Sequence, residues 1–298
     1  MELESEEYGV VTVLYGERRG KYPHGNSLLV RGDAETAVID PSLGLIPRRE
    51  QLPKVDRVIN SHCHEDHIAG NFLFPDIPWH LHEADAPGIR SLDGLLAIYG
   101  MPEDTDVSFR KVLVDDFHFT PREDPVAYRD GDVFDLGGVV VGVIHTPGHT
   151  RGHCALRVES GGDDLLYLGD IDLTGFGPYY GDAWSSLEDF EATLEKVKGL
   201  KARWYATFHQ IGVVERDDFL ERLDRFGAVI QRREERLLEF IEEPRSMDEI
   251  AAYRIVYRPA DPVFYADAVE RRSSEQHLER LCAQGRAIRL EGERFQRA

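Results

Sequence analysis

The chain has 298 residues, of which 42% are hydrophobic, and this length allows one large domain or one domain with a small appendage. Its formal net charge of -20 disfavours long-range attraction to nucleic acid or to an anionic membrane. No run of about 18 apolar residues is present. The acidic start lacks the apolar stretch of a signal peptide, and 3 cysteines are too few for a disulfide framework. We therefore expect a protein of the reducing cytoplasm without a membrane-spanning helix.

Short strands are predicted in the first part of the chain. Residues 10–14 form a first strand, and residues 27–30 and 36–39 flank a glycine-containing turn, which is a hairpin signal. Residues 55–60 predict a short buried strand, and residues 79–82 predict another.

The segment that follows these strands is predicted to lie over a functional site. Residues 89–99 favour a helix that is interrupted at Gly94. Residues 102–125 are rich in acids and aromatics and show no clear periodicity, so we expect them to be irregular. A segment of this length is more often a functional cover than a connector.

Strands and helices alternate in the middle of the chain. Residues 133–136 and 139–144 predict a hairpin, and the strand pattern continues over residues 154–158 and 165–168. Ser185, with Glu188 three positions later, predicts a helix N-terminus, and residues 204–208 predict a further strand. Two sheets between layers of helices are expected from this order.

A part of different character begins near residue 217. A long amphipathic helix ends at Pro244, and a capping box at Ser246 begins a short helix. Residues 273–284 predict another helix, and residues 287–296 predict a small β-hairpin. The order of helix, helix and hairpin resembles a winged-helix module.

The segment His62-Cys63-His64-Glu65-Asp66-His67 follows the buried strand predicted over residues 55–60. His62 and His64 alternate on one side of an extended segment. Asp66 and His67 come after the chain starts to turn, so they can face the same space from another direction. Neutral imidazole and carboxylate are ligands of zinc and of non-haem iron. The segment therefore predicts a metal site.

This segment resembles the His-x-His-x-Asp-His motif of the metallo-β-lactamase superfamily. The resemblance implies further ligands at later strand ends, and the chain has them in the expected order. His149 lies in a Thr-Pro-Gly-His-Thr pattern, Asp170 ends a predicted strand, and His209 follows a late strand. The resemblance spans roughly residues 8–212, where every expected ligand position is filled.

The resemblance implies two metal ions per chain, with zinc expected and iron or manganese as alternatives. The first would be held by His62, His64 and His149, the second by Asp66, His67 and His209, and Asp170 would bridge them. Two metals lower the pKa of a shared water, which attacks a carbonyl or a phosphorus. Asp66 and Asp170 are thus the predicted catalytic residues, with Asp66 relaying a proton. Asp40, at an earlier strand end, would orient a ligand histidine.

Five residues near these ligands receive weaker assignments. His145 is predicted to be structural and His153 to support the site from behind its ligands. Cys63 is expected to point into the protein. Tyr179 and Tyr180 lie in a loop rich in glycine and proline, where aromatic packing is favoured over stabilisation of an oxyanion.

The resemblance and the order of elements together predict the architecture. We expect an α/β (α+β) fold with four layers, αββα, in which helices flank two mixed sheets. The catalytic domain would comprise residues 1–216. A small, mainly helical, winged-helix-like domain would comprise residues 217–298.

Three enzymatic functions remain open at this point. The first is a binuclear metal hydrolase of thioesters, esters or lactones, like glyoxalase II, acting on a small-molecule substrate. The second is a lactamase-like endoribonuclease acting on single-stranded RNA, a partner that the charge of -20 disfavours. The third is a persulfide dioxygenase with one iron, against which the presence of Asp66, His67 and His209 argues. The C-terminal module is also compatible with a homodimer.

Overall fold

The structure, a computed structural model, describes residues 4–261 and 263–298. Its first sheet consists, in chain and in spatial order, of β1 (Ser5–Tyr8), β2 (Val11–Leu14), β3 (Ser27–Arg31), β4 (Thr36–Ile39), β5 (Arg57–Ile59), β6 (Trp79–His82) and β7 (Val126–Tyr128). Neighbouring strands are antiparallel from β1 to β4 and parallel from β4 to β7. The sheet is therefore mixed.

The second sheet is also mixed. It contains β8 (Val133–Asp135), β9 (Val140–His145), β10 (Cys154–Ser160), β11 (Asp163–Tyr167), β12 (Trp204–Ala206) and β13 (Val213–Glu215). These strands follow one another in space as they do in the chain, and only β11 and β12 pair in parallel.

Helices cover both sheets. They are α1 (Glu17–Gly20), α2 (Glu65–Ile68), α3 (Ala86–Arg90), α4 (Leu92–Tyr99), α5 (Glu103–Asp115), α6 (Leu187–Gly199), α7 (Arg216–Phe240), α8 (Met247–Tyr253) and α9 (Ala266–Ala283), with 3-10 turns at Leu43–Arg48 and Asn71–Leu73. Within the described ranges, no helix is long and apolar enough to cross a membrane.

The second sheet separates two hydrophobic cores. Successive side chains of a strand point to opposite faces. Leu165 and Tyr167 of β11 accordingly belong to the core between the sheets, whereas Leu166 and Leu168 pack with α6 and α7. This arrangement of helices around two mixed sheets confirms the predicted fold class.

The C-terminal part has a core of its own. Strands β14 (Arg245–Ser246), β15 (Ala287–Leu290) and β16 (Arg294–Arg297) form a third sheet in the order β14-β16-β15. Its Phe295 packs with apolar residues of α7, α8 and α9. The division of the chain at residue 216 and the winged-helix resemblance stay predictions. Helix α7 contributes its first half to the core beside the second sheet and its last turns to the C-terminal core.

Several local predictions were wrong. The segment predicted as irregular contains α5, because Phe109 and Leu113, one turn apart, bury their side chains together. The break between α3 and α4 falls at Ser91, whose hydroxyl caps α4, and not at Gly94. Helix α6 is capped by Ser186 and not by Ser185.

Candidate metal centre

The direction of the strands brings the predicted ligands together. The carboxyl ends of β4 and β5 lie at one edge of the first sheet, because the two strands are parallel. In the second sheet β9, β11 and β12 run in one direction. The segments after β5, β9, β11 and β12 carry His62, His149, Asp170 and His209. Each ligand candidate outside the first motif therefore follows a strand that ends at the same edge.

The predicted ligands form two groups. Donor atoms of the first group lie within 4.8 Å of one another, and so do those of the second. The first group is His62, His64, His149 and Asp170, and the second is Asp66, His67 and His209. Among the described residues, the structure thus brings together all seven predicted positions, in the division that the resemblance implied.

Asp170 lies between the two groups. Its Oδ2 is 3.0 Å from His149 Nε2 and 3.9 Å from His62 Nε2. Its Oδ1 is 2.8 Å from His67 Nε2 and 3.8 Å from His209 Nε2. One carboxylate oxygen therefore faces each group, which is the arrangement that a bridging ligand requires.

Hydrogen bonds at the outer ring nitrogens fix the histidine tautomers. Nδ1 of His67 is 2.7 Å from Asp40 Oδ2, and Nδ1 of His149 is 3.0 Å from the Tyr179 carbonyl. Nδ1 of His209 is 2.8 Å from the Gly20 carbonyl. Carboxylate and carbonyl oxygens only accept, so each Nδ1 carries a proton, and in the neutral ring each Nε2 has the lone pair that can bind a metal.

The inner atoms test whether the residues fit a metal. His62, His67 and His149 have a buried Nε2 without a hydrogen-bond partner among the described residues, and Asp170 Oδ1 and Asp66 Oδ2 lack one too. Buried polar atoms without partners are costly, and lone pairs that face carboxylates repel one another. A cation between them removes both penalties, so the donor set fits bound divalent metal.

The carboxylates give the centre a negative potential. Burial would lower the pKa of His64, but the Asp182 carboxylate 3.0 Å away raises it to about 9. Burial acts on His209 in the same direction, and the Asp172 and Asp66 carboxylates raise its pKa to about 10. The site therefore favours positive charge, and a metal that binds must displace these protons.

Asp40 organises the residues behind the centre. It accepts hydrogen bonds from the Ser61 amide at 2.7 Å, from the Ser61 hydroxyl at 2.5 Å and from the Tyr167 hydroxyl at 2.7 Å. Because the Ser61 hydroxyl donates to Asp40, it accepts from His62 Nδ1 at 3.1 Å. Asp40 thus contacts one ligand candidate directly and orients a second through Ser61, which is the supporting position that the resemblance implied.

His153 also lies behind the ligand candidates. Its Nε2 accepts a hydrogen bond from the Asp170 amide at 3.1 Å, and burial lowers its pKa to about 3. The neighbouring Gly169 has a φ of +54°, and a Cβ there would lie 2.5 Å from His153 Nε2. A neutral His153 packed on this glycine therefore fixes the backbone that carries Asp170.

The other weaker assignments find clear positions. His145 stacks on His82 at 4.3 Å and contacts the Arg151 carbonyl, away from the donor groups. Cys63 is fully buried, and burial raises the pKa of its thiol. Tyr180 is buried, and its hydroxyl lies 2.9 Å from His277 Nε2.

Two acidic residues of the site were missed by sequence reasoning. Asp172 forms a third donor group with Asp170 and His209, and burial raises its pKa to about 7. Asp182 lies beside His64 and accepts a hydrogen bond from Tyr179 at 2.9 Å. Asp172 follows Asp170 by two positions, and this spacing was a signal in the sequence. Asp182 lies in a loop that no local pattern connects to His64.

The centre opens into a cavity of about 320 Å³. One side carries ligand candidates such as His64 and Asp170, and the other carries aromatic side chains. Tyr257 and Tyr265 reach this cavity from the C-terminal part, and Phe109 reaches it from α5. The segment predicted to cover the site therefore lines it, although as a helix.

A family profile described as Metallo-beta-lactamase superfamily matches residues 22–209. This match spans more than half of the chain. The chain therefore belongs to the metallo-beta-lactamase superfamily.

Curated relatives are distant. Uncharacterized proteins of Mycobacterium tuberculosis are 29% identical over 154 residues, which cover 48% of this chain and 65% of theirs. Acyl-coenzyme A thioesterase MBLAC2 of Homo sapiens is 26% identical over 194 residues, covering 58% of this chain and 66% of that protein. Hydroxyacylglutathione hydrolase of Methylococcus capsulatus is 26% identical over 245 residues, covering 78% and 80%.

A solved structure has a similar fold over nearly the whole length of this chain. A metallo-beta-lactamase family protein from Thermus thermophilus superposes with a TM-score of 0.73 at 25% identity. The superposition covers 98% of this chain and 99% of that chain, so the likeness includes the C-terminal part.

Proposed function

We propose that the chain is a metal-dependent hydrolase that cleaves a thioester, ester or lactone in a small substrate. The observation that carries this proposal is the placement of Asp170, whose two oxygens face two separate groups of histidines with inward lone pairs. Two divalent ions held there would lower the pKa of a water so that it attacks a carbonyl. Zinc suits the imidazole and carboxylate donors best.

The protein's own residues would prepare this attack. In this proposal His62, His64, His149, Asp66, His67 and His209 would hold the two ions, and Asp170, which faces both groups, would contact both. The buried Asp66 Oδ2 has no hydrogen-bond partner among the described residues and lies 3.2 Å from His209 Nε2. It is placed to accept the proton of the attacking water and to pass it to the leaving group.

The relatives support cleavage of a thioester first. One of them is named an acyl-coenzyme A thioesterase and another a hydroxyacylglutathione hydrolase. RNA as a substrate finds no support at the cavity, because none of its described lining residues is lysine or arginine.

The test combines metal content with a panel of substrates. Plasma mass spectrometry on protein purified without added metal is expected to find two zinc ions per chain. Thioesters, esters, lactones and single-stranded RNA are then supplied, and release of the thiol, acid or nucleotide is measured. Cleavage of RNA alone, or one iron per chain with oxygen uptake on a persulfide, would contradict the proposal.

A further inference from the structure

The cavity beside the metal centre has one continuous aromatic side. Its rings form an uninterrupted series of contacts, with centroid distances of 4.8, 5.9, 6.4 and 5.7 Å between neighbours. We name this series the aromatic wall, and its members in order are Tyr99, Phe109, Tyr265, Tyr257 and Phe176. They come from α4, α5, the segment before α9 and the loop after Asp170. No local sequence pattern predicts such a surface.

The aromatic wall runs from the metal centre to the surface. At its inner end Tyr99 stacks on His64, with 5.1 Å between the ring centroids. At its outer end the side chain of Phe176, which lines the cavity, is 42% exposed. Large apolar side chains exposed at a cavity mouth indicate a surface that meets an apolar ligand.

The charges of the cavity restrict that ligand further. The described lining residues include Glu65, Asp66, Asp170, Asp172 and Asp182 and no lysine or arginine. Two divalent ions would balance part of this charge, but the described lining residues include no lysine or arginine that could pair with a carboxylate or phosphate of a ligand. An anionic group beside the wall would be repelled and left without a partner.

The hydroxyl groups at the inner part of the cavity are already used. Tyr99 and Tyr22 both donate to the buried Glu65, Tyr22 at 2.9 Å, and Tyr179 donates to Asp182 at 2.9 Å. Ring faces and edges are thus the main contacts available to a ligand here. Such contacts suit aryl and alkyl groups.

The C-terminal half of the wall is firmly held. Glu270 of α9 is fully buried and accepts hydrogen bonds from the amides of Ile255 at 2.7 Å and Tyr257 at 2.6 Å. It also accepts from the Val256 amide at 3.1 Å. A carboxylate that ties down three successive amides fixes the segment that carries Tyr257, so this side of the cavity is a built surface.

From these observations we infer that the aromatic wall binds an uncharged, apolar acyl group, aryl or linear alkyl, and that Tyr257 and Tyr265 determine the acyl specificity. The inference rests on the proposed hydrolase. In a thioester the acyl carbon lies at the metal centre, the acyl chain extends along the wall, and any charged portion of the thiol lies outside the cavity.

The first experiment compares thioesters of one neutral thiol, N-acetylcysteamine, on the zinc-loaded protein. Each methylene that the wall buries is expected to raise kcat/KM by about fourfold. The hexanoyl thioester should therefore exceed the acetyl thioester by at least about tenfold, which allows for incomplete burial. The butyryl thioester should exceed the succinyl thioester, which has the same chain length and a terminal carboxylate, by at least about tenfold.

The second experiment tests the two tyrosines. Tyr265→Ala and Tyr257→Ala are expected to lower the hexanoyl-to-acetyl ratio of kcat/KM by about fivefold or more. The matched control is Tyr253→Ala, whose ring stacks on Phe240 at 4.1 Å in the C-terminal core and does not line the cavity. Tyr265→Leu keeps an apolar side chain of substantial size, so it should retain most of the hexanoyl-to-acetyl ratio. It replaces the alanine variants in the comparison if they do not fold.

A binding measurement separates this inference from the proposed function. N-ethylhexanamide, a neutral amide that carries the hexanoyl group, is titrated calorimetrically into the zinc-loaded wild type and into the Tyr265→Leu and Tyr265→Ala variants. Hydrolysis of acetyl, hexanoyl and succinyl thioesters at equal kcat/KM would overturn the acyl assignment and leave the hydrolase standing. No hydrolysis of any thioester, with amide binding that weakens in Tyr265→Ala, would overturn the hydrolase and support an apolar ligand. If no thioester is hydrolysed and the amide does not bind, both the hydrolase proposal and the acyl assignment are wrong.

Discussion

The metal centre and the aromatic wall share one cavity, but they are built in different ways. Six of the seven metal-ligand candidates lie within four residues after a strand or in the short helix that follows one, and backbone direction brings them together. The wall takes its five rings from four segments, which meet only through packing. In the proposed function, the residues that hold the metals would thus be placed by the sheets, and the residues that select the substrate would be placed by the elements around the sheets.

This difference predicts that the two regions can be damaged separately. Ligand candidates depend on hydrogen bonds such as that between His67 and Asp40, which lie inside the sandwich. The wall depends on α9, whose Arg272 donates to the carbonyls of Tyr99 and Gly100. Substitutions behind the metals should therefore change metal binding, and substitutions around α9 should change stability and specificity.

The largest effect is expected from Asp170→Asn. The amide lacks the charge that faces both donor groups, so we expect loss of metal and a fall in kcat of more than about a thousandfold, above the effect of removing a single stabilising donor. Metal content and thioester hydrolysis measure it. The control is Asp76→Asn, at an exposed position that does not line the cavity. Full activity with two metals in Asp170→Asn would remove the bridging role.

Glu234→Gln is expected to have the largest effect on the C-terminal side. The buried Glu234 of α7 pairs with Arg280 and Arg286, and Arg280 also pairs with Glu191 of α6. Removing the charge weakens the contacts to both guanidinium groups, although Arg280 keeps Glu191 and Arg286 is half-exposed, so the loss should be about 2 kcal/mol of unfolding free energy. Urea unfolding at neutral pH measures this. Glu239→Gln, at an exposed position of the same helix, is the control.

The same variant gives a pH dependence with a definite sign. A hydrogen bond with His277 and the Arg280 guanidinium hold the pKa of Glu234 at about 2, against the opposing effect of burial. A lowered carboxyl pKa stabilises the folded state above the ordinary pKa of about 4.3, and this contribution is lost as the pH falls toward the folded value. The stability difference between wild type and Glu234→Gln should therefore narrow from pH 4.5 toward pH 2. A constant difference would contradict the assignment.

The same contrast explains how much the sequence could predict. His62 and Asp170 each lie three residues after the end of a strand, which restricts where their side chains can lie, so a motif directly after a strand predicts both the chemistry and the position of its residues. Asp182 and Tyr265 reach the site over longer distances, by way of a loop and of α9. Their positions depend on tertiary packing, for which the local sequence has no period or motif. Sequence patterns therefore did not predict the aromatic wall.

The wrong predictions for α5 and for the start of α6 have causes in the sequence of each helix. Helix α5 was missed because its apolar residues do not lie on one face: Phe109 and Leu113 are buried, whereas Val107 is 71% and Val114 is 47% exposed. The N-cap of α6 was shifted by one position because Ser185 and Ser186 are both acceptable caps. Tertiary contact decides between them, since the Ser185 hydroxyl bonds the His149 carbonyl at 2.7 Å.

Asp40→Asn should have an intermediate effect, confined to the metal centre. The variant keeps the side-chain size but weakens the bonds to His67 and Ser61, so metal affinity should fall by about 10- to 100-fold, as for other residues that orient metal ligands. Competition with a chromogenic chelator measures the affinity, with Asp76→Asn as control. The hexanoyl-to-acetyl ratio in metal-saturated protein should stay at the wild-type value. A changed ratio with unchanged affinity would contradict the separation of the two regions.

The smallest effect is expected from Ser246→Ala. Ser246 and Glu249 form a capping box at the start of α8, in which the Ser246 hydroxyl accepts from the Glu249 amide and the Glu249 carboxylate accepts from the Ser246 amide. Loss of one cap should cost about 1 kcal/mol. Hydrogen exchange is expected to speed up in the first turn of α8 and not at the metal centre, whereas Ser108→Ala, on the exposed face of α5, should leave α8 unchanged. Faster exchange around His62 in Ser246→Ala would show instead that the C-terminal core and the metal centre unfold as one unit, because opening free energies are shared only within a cooperative unit.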